Sequence, residues 1–255
     1  MENYRSNYHT HTTRCHHACG EDREYVEAAI EAGYKTLGFS DHTPMPCREG
    51  YRSGMRMSLS DADGYFRSIS DLRDEYKRDI DIKIGVEAEY FPRYFDALVD
   101  FLSQYPLDYM ILGQHFINDE EGCPYSGNRT DSEKLLADYI KNATDGAKTG
   151  KFMYIAHPDL INYTGPVEIY DSYMIPFLNE MKALDIPLEI NRLGMATGRH
   201  YPSEHFWSLV EKVGNTVCIG VDAHDPKMLF EFDSIDACFE LAKEHSLSVK
   251  TEFDI

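Results

Sequence analysis

The chain has 255 residues, with 25 basic and 44 acidic side chains, a formal charge of −19, 42% apolar residues and 27% charged ones. This is the composition of a globular protein, and its acidity argues against a nucleic-acid or anionic-membrane partner, which would need a basic footprint. A small phosphorylated molecule stays admissible, because bound metal ions reverse the field locally. No apolar stretch approaches the roughly 18 residues of a membrane span, and no signal-peptide core follows Met1. Six cysteines at irregular spacing, without a CxxC pair, point to reduced thiols and a cytoplasmic protein. With no linker or low-complexity tract, residues 1–255 are expected to form one domain.

Along the chain, a short β-branched or aromatic run alternates with a longer helical pattern. The first run is Asn7–His11, followed by a helix over 23–32 with Asp22 as N-cap and Gly33 closing it. Thr36–Ser40 is the second, leading through a long loop to a helix over 61–76, with Ser60 and Asp63 in capping-box spacing. Ile82–Glu87 precedes a helix near 95–103, and Tyr109–Gly113 precedes one over 132–149. Phe152–Ala156 leads to a helix near 170–184, Pro187–Ile190 to one near 204–213, and Val217–Val221 to one near 234–244. Seven strand–helix units in unbroken series, with no glycine fingerprint after the first strand, predict an α/β fold: a distorted seven-stranded (β/α)7 TIM-like barrel.

The ends of these strands share a chemistry. His9 and His11 end the first, Asp41-His42 follows the second, and Glu87 and Glu89 end the third. His115, His157, the Glu189/Asn191 pair and the Asp222/His224 pair follow in the same way. Barrels of this kind carry their active sites on that rim. A buried cluster of imidazoles and carboxylates needs partners, and divalent ions supply them. Zinc, iron or manganese suit such mixed donors, and the donors are too many for one ion. Glu87 is the candidate bridge between ions. Cys15-His16-His17-Ala18-Cys19 lacks the second ligand pair of a zinc knuckle.

Taken together, His9-Thr10-His11 with Cys15 and His17, Ser40-Asp41-His42-Thr43-Pro44, Gly85-Val86-Glu87-Ala88-Glu89-Tyr90, Gly113-Gln114-His115-Phe116, Ala156-His157-Pro158 and Gly220-Val221-Asp222-Ala223-His224 resemble the PHP (polymerase and histidinol phosphatase) superfamily. Within it, the chain is similar to the histidinol-phosphate phosphatases. The resemblance runs from His9 to about Pro226. It implies the PHP fold and three divalent ions: one on His9, His11, Glu87 and Asp222; a second on Glu87, His115 and His157; a third on His17, His42 and His224. It further implies hydrolysis of L-histidinol phosphate, a step of histidine biosynthesis, by a hydroxide bridging two ions. Glu87, Asp222 and His224 are then the catalytic residues.

Substrate contacts are expected from the segment after the sixth strand. Arg192 and Arg199 are candidates for a phosphate clamp. Glu189 and Asn191 either receive the amine or imidazole of the substrate or support the ligands, and His200 is a candidate proton donor. The family often continues this asparagine with Thr-Ala-Gly, whereas here it is Arg192-Leu193-Gly194. Arg48, Arg52 and Arg56 lie in a loop that reads as solvated or as a lid, and His205 and His245 read as surface residues. Three other readings remain: a phosphatase for phosphotyrosine or another small phosphomonoester, an amidohydrolase-like barrel, and a non-catalytic metal-binding module.

Overall fold

The structure is a computed structural model that describes residues 5–46 and 50–255. Its strands are β1 (Ser6–Asn7), β2 (Thr36–Phe39), β3 (Asp81–Ala88), β4 (Tyr109–Leu112), β5 (Leu188–Asn191), β6 (Thr216–Gly220) and β7 (Ser248–Val249). They form two parallel sheets, β1-β2-β3-β4 and β5-β6-β7. The helices are α1 (Asp22–Ala32), α2 (Ala62–Tyr76), α3 (Phe95–Leu102), α4 (Glu133–Lys148), α5 (Val167–Ala183), α6 (Arg192–Thr197), α7 (Glu204–Val213) and α8 (Phe232–Glu244).

The expected series of seven strands is corrected at two places. Phe152–Ala156 is not a continuous strand, and Ser248–Val249 is a strand the sequence did not suggest. Residue 155 still links the sheets, bridging Leu112 on one side and Leu188 on the other. Met153 N–H donates to the Met110 carbonyl at 2.8 Å, and Ala156 N–H to that of Leu112 at 2.9 Å. At the opposite seam Thr10 bridges Ala223. The parallel sheet therefore curls on itself.

Alternation along β3 shows how the strands sort their side chains. Ile82, Ile84, Val86 and Ala88 join the large core that the helices cover, whereas Glu87 belongs to the opposite face. On that face a smaller cluster of Tyr8, Tyr109, Ile111, Tyr154, Ala156 and Cys218 builds an apolar floor. Tyr109 is fixed there by donating its hydroxyl to the carbonyls of Tyr8 and Phe39 at 2.7 and 3.1 Å. Phe253 of the C-terminal tail packs its ring on Tyr8 and Tyr154.

Helix ends follow local chemistry. Glu21, not Asp22, caps α1, exchanging bonds with Glu24 in a capping box, and Gly33 closes it at φ 85°. The Ser60–Asp63 box does not form; instead Asp61 accepts from the Ser58 N–H and hydroxyl. Ser132 and Ser203 cap α4 and α7. No described helix is long and apolar enough to cross a membrane.

Candidate metal centre

The candidate ligands stand where the strands run out, and backbone pairing sets their depth. His11 N–H donates to the Ala223 carbonyl, and Ala223 N–H to that of His9, so the two seam segments present His9, His11, Asp222 and His224 together. His42 pairs with Glu87 in the same way just beyond β2. A short 3-10 turn, Thr13–Cys15, folds the chain back and brings His17 to within 4.8 Å of His224 between ring centres. His157 and Asp222 hold φ of 31° and 54°, in the left-handed region that Asp and His enter more readily than most residues.

Glu87 lies at the centre. It is 1% exposed. Its Oε2 faces Nδ1 of His42 at 3.1 Å and Nε2 of His9 and His11 at 3.5 Å each. Its Oε1 faces Nε2 of His157 at 2.9 Å and of His115 at 3.7 Å. Gly113 makes this approach possible, since a Cβ there would run into the Glu87 carboxylate. Asp222 Oδ1 faces His11 Nε2 at 3.1 Å, His224 Nδ1 at 3.4 Å and His9 Nε2 at 3.5 Å. The nine candidate ligands named from the sequence are thus brought together, with His17 the most exposed of them.

Carboxylates stand behind these rings. Glu189 Oε1 bonds His9 Nδ1 at 2.7 Å, while its Oε2 accepts from the His157 N–H and from Asn191 Nδ2, both at 2.9 Å. Asn191 Nδ2 also donates to Asp222 Oδ2 at 3.1 Å. Asp41 Oδ1 lies 3.3 Å from His11 Nδ1, and its Oδ2 accepts the Thr12 hydroxyl. Glu189 and Asn191 therefore bond candidate ligands and are not among the residues that line the cavity over the site. Gly220 leaves the space that the Glu189 carboxylate fills.

The electrostatics are those of a site built for cations. Burial opposes the charge on Glu87, yet the imidazoles of His115, His42 and His9 hold its carboxyl well below the usual range. Against the same burial, His9, His11 and His224 do so for Asp222. Burial, the largest influence on His9, would lower its pKa, but Glu189, Asp222 and Glu87 raise it well above normal. Burial depresses His42 strongly and, with His11 nearby, takes His224 down to about 3. Several inward-facing atoms have no hydrogen-bond partner among the described residues, including His9 Nε2, His42 Nδ1, Glu87 Oε2, Asp222 Oδ1 and His224 Nε2. Clusters such as His9–His11–Asp222, His9–Glu87–His157 and His11–His42–His224 have donor atoms within 4.8 Å of one another. Buried, unpartnered imidazole and carboxylate donors at that spacing fit divalent zinc, iron or manganese.

A cavity of about 390 Å³ opens over these residues, its remaining wall made by Met55, Tyr125, Leu193, Arg199, Tyr201 and Met228. Arg199 lies across the Tyr201 ring and donates to its hydroxyl at 2.7 Å. The other expected substrate residues lie elsewhere. Arg192, 1% exposed, is the first residue of α6 and points to α8, where Nε donates to Ser234 Oγ at 2.7 Å and the guanidinium pairs with Glu231. His200 bonds the Leu160 carbonyl at 2.8 Å and lines a separate groove. Among the loop arginines, Arg52 is exposed, Arg56 is buried and Arg48 lies outside the described residues. His205 is exposed as expected, but His245 is buried and bonds Glu211 at 3.0 Å. Tyr125 and Met228 were not singled out, because no spacing distinguishes a cavity wall from core.

The PHP domain family matches residues 7–193. Over 226 residues, the chain is 29% identical to a protein of Deinococcus radiodurans named probable histidinol-phosphatase, covering 86% of this chain and 85% of that one. It is 28% identical over 172 residues to the histidinol-phosphatase of Bacillus subtilis, covering 65% of this chain and 55% of that one. Among solved structures, the histidinol phosphate phosphatase of Lactococcus lactis, complexed with zinc, L-histidinol and phosphate, superposes with a TM-score of 0.75 at 22% identity. The match covers 96% of this chain and 95% of that one. This last likeness concerns the fold, an α/β architecture with a curled parallel sheet.

Proposed function

The chain belongs to the PHP domain family, and on that premise we propose that it is a metal-dependent phosphomonoester hydrolase converting L-histidinol phosphate and water to L-histidinol and phosphate. The observation that carries the reading is Glu87, one buried carboxylate facing the imidazoles of His9, His11, His42, His115 and His157. The names of the relatives and the ligands of the lactococcal structure support the substrate, which belongs to histidine biosynthesis.

In this reading the site would take three divalent ions, of zinc, iron or manganese. His9, His11, Glu87 and Asp222 would hold one; Glu87, His115 and His157 a second; His17, His42 and His224 a third. Such ions, when bound, neutralise phosphoryl oxygens and lower the pKa of water so that hydroxide is available near neutral pH. The protein supplies placement. Glu87, Asp222 and His224 fix the reacting centre, and Glu189 and Asp41 hold His9 and His11 in orientation. Arg199, a cation in the cavity wall that is not a ligand, binds the phosphoryl oxygens. Met55, Tyr125, Leu193, Tyr201 and Met228 exclude water around the leaving group.

The bridges at Ile155 and between Thr10 and Ala223 support reading the two sheets as one distorted (β/α)7 barrel, and residues 1–255 as a single domain. Cys15, Cys19, Cys123, Cys218 and Cys238 are free thiols, which supports a cytoplasmic setting. Because Tyr125 and Tyr201 offer two aromatic walls, phosphotyrosine is the second reading. Phosphate release from L-histidinol phosphate, from a phosphotyrosine peptide and from a set of sugar phosphates separates them. A kcat/KM for histidinol phosphate at least about 100-fold above the others supports the first reading. Preference for the peptide replaces it with the second.

A further inference from the structure

Arg56 lies in an arginine-bearing loop, yet it is 3% exposed. Its guanidinium makes two parallel bonds to Glu89, each 2.8 Å, and its Nε donates to Glu120 Oε2 at 2.7 Å. Both carboxylates are buried as well. Glu120 Oε1 in turn accepts the Ser53 hydroxyl at 2.6 Å and the Tyr51 hydroxyl at 3.0 Å. On its other side Glu89 Oε1 stands 3.4 Å from Nδ1 of His115, the ring whose Nε2 faces Glu87. Met55, the neighbour of Arg56 in the chain, lines the cavity.

One guanidinium therefore joins a loop, a second loop and a histidine of the metal centre. A buried ion triad of this kind adds little stability compared with well-packed apolar residues of the same volume. What the planar fork does fix is direction, because its donors match carboxylates at set angles. A histidine that binds a metal through one nitrogen commonly directs the other at a carboxylate, which selects its tautomer and orients the ring. Glu89 stands in that place behind His115, 3.4 Å from its Nδ1, where Glu189 and Asp41 bond Nδ1 of His9 and of His11. Glu89 alone of these three is itself held by an arginine from a loop over the cavity.

We propose that Arg56 is a positioning residue: through Glu89 it orients His115 toward the metal centre, and through Glu120 it pins loop 50–58 so that Met55 forms a fixed wall of the substrate cavity. The proposal rests on reading His115 as a metal ligand. It divides the network into two arms, which respond to different substitutions.

The test uses the zinc-loaded full chain and the variants Glu89→Gln, Glu120→Gln and Arg56→Lys. It reads zinc transferred to a chromophoric chelator, and kcat and KM on p-nitrophenyl phosphate, a monoester that does not depend on the histidinol assignment. Glu89→Gln weakens zinc retention about 10- to 100-fold and lowers kcat. Glu120→Gln keeps its zinc and raises KM by about fivefold. Arg56→Lys shows both changes, since an ammonium cannot reproduce the fork. Zinc retention and KM at wild-type values in all three, even with lowered melting temperatures, would reduce the network to a structural role and overturn the proposal. A wild-type chain that retains no zinc overturns the metal reading itself, and the proposal with it.

Discussion

At the scale of single residues, the site depends on how closely a few carboxylates approach their neighbours. Glu87 serves several imidazoles, so Glu87→Ala is expected to abolish phosphatase activity and release at least one ion; metal analysis of the purified variant alongside the wild type checks both. Gly113→Ala changes none of the candidate ligand residues but puts a methyl group where the Glu87 carboxylate lies. It is expected to cost about 1–3 kcal/mol in urea denaturation and to remove activity by displacing Glu87. Arg199→Ala should raise KM for a phosphate ester by about tenfold or more while metal content stays at the wild-type level; unchanged KM removes its role as the phosphate clamp. The candidate ligand residues that cluster here were legible because short motifs at strand ends carry them. Arg192 and Arg199 were not distinguishable in sequence: Arg192 opens α6 and turns toward α8, whereas Arg199 follows the C-cap Gly198 and lines the cavity. Arg56 was misplaced for a related reason, as its partners stand 33 and 64 residues away.

At the scale of elements, most of the strands and helices followed from hydrophobic period and end signals. Misses fall where an element is short or where tertiary contacts override local pattern. The six-residue helix α6 contains Gly194 and gives too few positions for a 3.6-residue period to show. Phe152–Ala156 has the composition of a strand, but the structure reduces it to the seam at Ile155. β7 is two residues long. The α6 start shows how an element serves the site: Asn191 ends β5, and its Oδ1 accepts the Gly194 N–H at 2.8 Å, while its Nδ2 bonds Glu189 and Asp222. Asn191→Ala is therefore expected to cost about 1 kcal/mol for the lost cap, and more for the released carboxylates. The unfolding midpoint in urea measures the first effect, and zinc affinity measures the second; no change in either contradicts the link between α6 and the ligands.

At the scale of the whole molecule, the net charge of −19 and the cluster of carboxylates at the rim belong to the same account. Cations held at the rim relieve part of that repulsion and bind the folded chain preferentially. Chelation should lower the melting temperature and restoration of the metal should recover it, with about 2.7 kcal/mol expected at a free-ion concentration 100 times Kd. The curl of the sheet makes this coupling general, because ligands from β3 and from the segments beyond β1, β2, β4 and β6 meet only when the two sheets close. The overall architecture was legible as strand–helix alternation. How the sheets join was not, because single-residue bridges leave no pattern in sequence.

The most direct measurement is phosphate release from L-histidinol phosphate, with bound metal counted on the same preparation, for the wild type and for Glu87→Ala. The account predicts about three divalent ions per wild-type chain and turnover, and fewer ions with no turnover in the variant. A wild-type chain that hydrolyses the ester without bound metal, or a Glu87→Ala variant that keeps both its ions and its activity, would contradict it.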